Sequence, residues 1–190
     1  MMTSPDHTIL DLRLLREVPV LTAGWASVHA ESAAVCLEDC GHSTEIPLRV
    51  IVAQGDEQQF TLRRHRVSEK MRRANNDPQV ATELGACGIA FLVVREVTGL
   101  TAITRSKKGT GFDYWLKQDS PDSLPFDDAA RLEVSGILRG SDKELATRTR
   151  QKLNQSKPSD ATTRLPAYAV VVEFGEPKAQ VAGPREVHTR

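Results

Sequence analysis

Residues 77–99, "DPQVATELGACGIAFLVVREVTG", carry the start and stop signals of one long helix. Asp77 is placed to cap the first turn, and Pro78 takes the first helical position, where its missing N–H costs nothing. Val80, Leu84, Cys87, Phe91 and Val94 then recur at steps of four, three, four and three, which is one face of an α-helix over about 78–97. Gly99 ends it. Glu83 falls at the border of that apolar stripe, about 60° from Val80 at 100° per residue, and is expected to point along a neighbouring sheet rather than into water.

A chain of 190 residues is long enough to bury such a helix in a real core. Hydrophobic content of 39% against 26% charged residues, with a mean hydropathy of -0.35, excludes a membrane protein. The longest apolar stretch, "GIAFLVV", falls far short of the roughly 18 residues that span a bilayer. The N-terminal "MMTSPDHTIL" lacks the basic and apolar regions of a secretion signal, so a cytoplasmic protein is expected. Cys36, Cys40 and Cys87 are too few for a disulfide framework and are expected to be free thiols. The net charge of zero hides an asymmetry: residues 1–60 hold nine Asp/Glu against three Arg, which leaves the other 130 at +6. Attraction to a polyanion is therefore allowed.

Before the helix the chain reads as extended. "ESAAVCLEDC", "IPLRVIVAQG" and "QQFTLRRHRV" are separated by the turn signals Gly41-His42-Ser43 and Gly55-Asp56, which predicts an N-terminal antiparallel β-meander, residues 1–76. After it come three strand candidates, "LTAITRSKKG", "TGFDYWLKQ" and "ARLEVSGILRG", the last two joined by the acidic loop "DSPDSLPFDDA". A second helix is predicted from Ser141, which forms an S-x-x-E capping box with Glu144, to about Lys157 before Pro158. "PAYAVVVEF" is a strand of the fully buried kind, and "AGPREVHTR" is expected to fray.

The acids fall at defined places in this order. Strand alternation puts Leu132 and Val134 on one face and Arg131, Glu133 and Ser135 on the other. Asp113 sits in the neighbouring strand between Phe112 and Tyr114, directly after a Gly-Thr-Gly bend. A helix with Glu83, a hairpin whose second strand carries Asp113, a third strand with Glu133-x-Ser135, then helix and strand resembles the core of the PD-(D/E)XK nuclease superfamily. The resemblance covers about residues 78–175 within a core of 77–190. It implies an α/β fold, a restriction-endonuclease-like mixed sheet flanked by helices. It also implies that Glu83, Asp113 and Glu133 bind Mg²⁺ or Mn²⁺ for phosphodiester hydrolysis in DNA.

Two departures stand against the family pattern. Ser135 replaces the third-strand Lys, and Asp113 is not preceded by Pro; the Pro121-Asp122 pair in the acidic loop is a coincidence. Family members are known in which the basic residue has moved to the following helix. With Leu145 as the inward reference, Lys152 lies about 20° and Arg148 about 60° away, which makes Lys152 the first candidate and Arg148 the second, with Lys108 a further one.

The basic run "RRHRVSEKMRR" would track a phosphate backbone through Arg63, Arg64 and Arg66, together with Arg105, Lys107 and Lys108. Cys36, Cys40 and His42 share a strand face by parity but lack a fourth zinc ligand, and "KKGTG" is not a P-loop. Each acid also has a bland reading: Glu83 paired with a local Arg, Asp113 satisfying a turn, Glu133 facing solvent on a one-sided sheet. Two rival functions follow. One is a decayed nuclease fold serving as a DNA-binding or scaffold subunit beside a protein partner; the other is a structural homo-oligomer whose acids form only salt bridges.

Overall fold

The computed structural model describes residues 8–52, 55–118, 129–156 and 165–184. Its strands are β1 (Ile9–Asp11), β2 (Glu45–Ile51), β3 (Glu57–Arg63), β4 (Leu100–Arg105), β5 (Tyr114–Gln118), β6 (Ala130–Ile137), β7 (Ala167–Glu173) and β8 (Lys178–Ala182). They form one sheet in the order β1-β3-β2-β8-β7-β6-β5-β4. The helices are α1 (Ala23–Asp39), α2 (Glu69–Ala74), α3 (Pro78–Thr98) and α4 (Asp142–Ser156), with a 3₁₀ segment at Leu12–Glu17. The chain is thus α/β with a mixed sheet, and no helix among the described residues is long and apolar enough to cross a membrane.

The second half follows the expected order of helix, three strands, helix, strand. Asp77 Oδ1 accepts from Gln79 N and Val80 N, Pro78 opens α3, and Gly99 closes it at φ 73°. The Ser141–Glu144 box is formed in both directions: Ser141 N donates to Glu144 Oε2 (2.7 Å) and Glu144 N to Ser141 Oγ (3.3 Å). β4, β5 and β6 are antiparallel in turn, and β7 returns parallel to β6 after α4. The C-terminal six residues and nearly all of the acidic loop lie outside the described residues.

The first half differs from the reading above. "ESAAVCLEDC" is the C-terminal part of α1, not a strand, so Cys36 and Cys40 stand one helical turn apart and the Cys-Cys-His strand face does not exist. Thr22 caps this helix, and its run of Ala with Ser, Cys and Val mimics the two-residue period of a strand. The three-stranded meander reduces to the β2–β3 hairpin, with β1 parallel to β3 on its outer side. The division at residue 76 is bridged twice. β2 pairs with β8 in parallel register (Arg49↔Lys178, Val50↔Ala179), and α1 packs along α3.

Both faces of the sheet are covered. The larger core lies on the α1 and α3 side and includes Leu15, Leu37, Leu48, Leu62, Phe91 and Val170; a smaller one, Ile137, Leu145 and Val171, lies under α4. Of the apolar stripe on α3, Phe91 and Val94 are buried and Leu84 and Cys87 half-buried, while Val80 in the first turn is 50% exposed. Small residues set the closest backbone contacts. A β-carbon on Gly85 would come within 2.8 Å of the Ala33 backbone in α1, and one on Gly136 of β6 within 2.6 Å of Thr82 O in α3.

These contacts predict opposite effects of the same substitution. Gly85→Ala, blocked by backbone atoms, should cost about 1–3 kcal/mol. Gly24→Ala, whose new methyl would meet nothing nearer than Thr22 Oγ1 at 4.0 Å, should be neutral or stabilise by up to about 1 kcal/mol. Urea denaturation of both variants beside the wild type checks this, and a neutral Gly85→Ala would show that α1 and α3 can move apart freely.

Candidate functional site

β5 and β6 pair at Tyr114↔Leu132, Trp115↔Arg131 and Leu116↔Ala130, and the ladder ends there. One residue beyond, Asp113 N donates to Leu132 O (2.9 Å), and Asp113 Oδ2 accepts from Val134 N (2.9 Å). Where the two strands part, the carboxylate takes up a β6 donor that the ladder no longer serves. That bond satisfies a backbone group that would otherwise lose its partner, and it also fixes the acid beside Glu133.

Glu133 does not face solvent. α4 covers its side of β6, and the residue is only 7% exposed. Lys152, one of the inward residues of α4, brings Nζ to 2.7 Å from Glu133 Oε1. The helical angle measured from Leu145 thus picks out the cation that reaches Glu133. Burial pushes the Glu133 carboxyl up to about 7; Lys152 opposes that shift and the neighbouring Asp113 adds to it. Arg148, the second candidate, instead reaches Gly136 O at 3.5 Å and stays exposed.

Two recesses meet at this point and share Arg105 and Asp113. The wider, about 590 Å³, lies under the β4–β5 hairpin, where Lys107, Lys108 and Gln155 join Asp113 and Glu133. The narrower, about 310 Å³, lies toward α3, with Glu83, Ser135 and Lys152 around Asp113. Glu83 lines this recess at its exposed side and accepts only a long contact from Gln79 Nε2 (3.5 Å). Glu83 is thus more exposed than the sequence suggests, while still lining the recess with the sheet residues Asp113 and Ser135. Among the described residues no group of three or more His, Cys, Asp or Glu is placed to hold a metal ion.

The basic candidates divide in the same way. Arg105, Lys107 and Lys108 stand at the acids, and the Arg105 guanidinium lies 6.0 Å from the Tyr114 ring centre. Arg63, Arg64 and Arg66 sit at or beyond the end of β3, four strands from β6, a span of roughly 19 Å at about 4.8 Å per strand. Arg63 is paired with Glu45 (2.9 Å) and Asp11 (3.7 Å). Arg64 is buried and donates to the carbonyls of His42, Ser43 and His65, so it clamps the turn before β2 rather than meeting a ligand. Arg66 is exposed.

His29, Cys87 and Tyr114 also line the narrower recess, and none was singled out from sequence as part of a site. Cys87 falls on the apolar stripe of α3, and only the helical form of α1 brings His29 to it. Burial pushes the Cys87 thiol up to about 12, which leaves no thiolate to act as nucleophile. His29 Nδ1 donates to Leu84 O (2.7 Å), and burial holds its pKa below the usual value, so the ring is neutral.

The raised Glu133 carboxyl fixes the sign of a pH effect. Between its ordinary value of 4.5 and about 7, the folded chain holds a proton that the unfolded chain has released, so raising pH through this window lowers stability. Glu133→Gln still accepts from Lys152 but cannot ionise. Its stability relative to wild type should rise between pH 5 and 8, by an amount on the order of 2 kcal/mol, and be flat above. Urea denaturation across that range measures it, and a relative gain for the wild type would show that the Lys152 pair outweighs burial. No family model, curated protein or solved structure matches the chain.

Proposed function

We propose that the chain is a divalent-metal-dependent nuclease domain that hydrolyses phosphodiester bonds in DNA. One observation carries this: Lys152 Nζ lies 2.7 Å from the buried Glu133 beside Asp113. Two acids and a lysine are thus assembled from the end of β5, from β6 and from α4, with the lysine supplied by a helix. The connection α3-β4-β5-β6-α4-β7, with three antiparallel strands and a parallel fourth, supports a restriction-endonuclease-like core.

The donor set fits a hard cation. Mg²⁺ is commonly held by one or two carboxylates, with water and substrate phosphate completing its shell, so Asp113 and Glu133 suffice, and Glu83 at the adjoining recess could complete the set through water. When bound, such an ion polarises a phosphoryl oxygen and makes its water more acidic. The protein groups do the rest. The Val134 N–H orients Asp113. Lys152 spends one of its three N–H donors on Glu133 and keeps two for charge developing on phosphate. Arg105, Lys107 and Lys108 hold the flanking backbone.

The second reading is a catalytically silent nucleic-acid-binding or scaffold subunit, favoured by the exposure of Glu83 and by Asp113 already serving a backbone N–H. The two readings part in one experiment. The nuclease reading expects cleavage of labelled DNA that needs Mg²⁺ or Mn²⁺, is abolished by Asp113→Ala and Glu133→Gln, and falls about 10²–10³-fold in Lys152→Ala. Mn²⁺ at ten times its dissociation constant should stabilise the wild type by ~1.4 kcal/mol, a rise of about 3–6 °C in Tm, most of which Glu133→Gln loses. A wild type blind to metal and inactive on duplex, single strand and RNA would establish the silent reading.

A further inference from the structure

One residue that lines the narrower recess packs against an exposed aromatic side chain. This residue, His29, has its ring centre 5.8 Å from that of Trp25, and the two planes are inclined at 31°. Trp25 lies in the first turn of α1, 47% exposed, with its backbone N–H held by the capping Thr22 Oγ1 (3.4 Å). His29 in turn packs edge-on against Phe91, and Phe91 against Tyr114 beside Asp113. The indole is thus backed by a packed series of rings and has little freedom left to lose on contact with a ligand. No packing within the described fold claims its outer surface.

The volume and lining of the recess limit what can enter. About 310 Å³ is at the lower bound of small-molecule sites, near the size of one nucleotide and too small for a stacked base pair. Its walls offer hydrogen-bonding groups of both kinds: Glu83 and the free Nε2 of His29 accept, while Lys152 and Arg105 donate and Ser135 does either. The wider recess, by contrast, is bordered by Arg105, Lys107 and Lys108, a lining suited to phosphates. Because Asp113 and Arg105 belong to both, a strand running from one to the other would pass the acid pair.

We propose that the narrower recess is a subsite for one unpaired nucleotide next to the scissile phosphate, with Trp25 as the platform on which a neighbouring base stacks. The preferred substrate is then single-stranded DNA, or a duplex with an unpaired stretch at the point of cleavage. This rests on the nuclease reading but adds a strand state and a binding residue to it. A base within a continuous duplex keeps its stacking partners and cannot reach the indole.

The chain has two tryptophans, so Trp115→Phe leaves Trp25 as the sole tryptophan reporter. Titration of this variant with an oligothymidylate, and with a blunt duplex of the same length, is followed by indole fluorescence. Anisotropy of end-labelled probes gives binding in the same samples, in EDTA and in Ca²⁺ at low salt. The expected result is quenching by the single strand only. Trp25→Ala, in the otherwise native chain, should weaken single-strand binding roughly 5- to 150-fold, the range that base–aromatic stacking spans, and leave duplex binding unchanged; Trp25→Phe should lie between. Single-strand binding without quenching, or equal losses on both probes, overturns the subsite while metal-dependent cleavage keeps the nuclease reading intact. Failure of both probes to bind in either buffer overturns the subsite together with nucleic-acid recognition.

Discussion

Helix α3 is gripped between α1 and the sheet with no room for a β-carbon on either contact. Gly85 meets the Ala33 backbone on one side, and Thr82 O presses on Gly136 of β6 on the other. Close-packed backbones have few ways to yield, so this double contact sets the distance of α3 from β6 and, with it, the width of the recess between Glu83 and Asp113. Thr82 and Glu83 are adjacent in sequence; the first holds the helix down and the second stands at the opening.

On the opposite face the constraint is electrostatic. Burying Glu133 under α4 costs free energy, and Asp113 raises that cost; Lys152 offsets part of it. A buried ion pair is weak evidence for a stability role, since well-packed apolar residues of similar volume often do as well. In the nuclease reading proposed above, a divalent cation would take the place of the proton at Glu133 and offset the repulsion between the acids.

Local signals were legible where local chemistry decides the structure. Asp77-Pro78, Gly99 and the Ser141–Glu144 box mark helix ends because capping uses neighbours in sequence. The angle from Leu145 to Lys152 survived because one buried leucine anchors α4 and the helix is regular between them. Pattern failed where tertiary contact decides. In α1 the small residues alternate like a strand, yet they pack as a helix because Ala33 must approach Gly85. Val80 and Glu83, near the start of α3, are exposed, while Phe91 and Val94 farther along the same stripe are buried. Arg64 looked like one charge in a basic run, but its three carbonyl acceptors become neighbours only once the turn at 42–43 has folded beside β3. β8 follows a short turn after β7, and "KAQVA" has too little β-branched character to announce a strand.

That the cation paired with Glu133 comes from α4 has a consequence for how firmly it is held. α4 is polar along most of its length and docks mainly through Leu145 and Thr149, which are fully or almost fully buried. Burying one leucine is worth only about 1.5–3 kcal/mol, so the ammonium is carried by an element held less firmly than the sheet beneath it. The Glu133–Lys152 contact then acts in both directions: the acid helps dock the helix, and the helix brings the cation to the acid. Ser135, two residues beyond Glu133 on β6, carries no charge to compete for the same carboxylate. The pairing of Glu133 therefore depends on how α4 sits against the sheet.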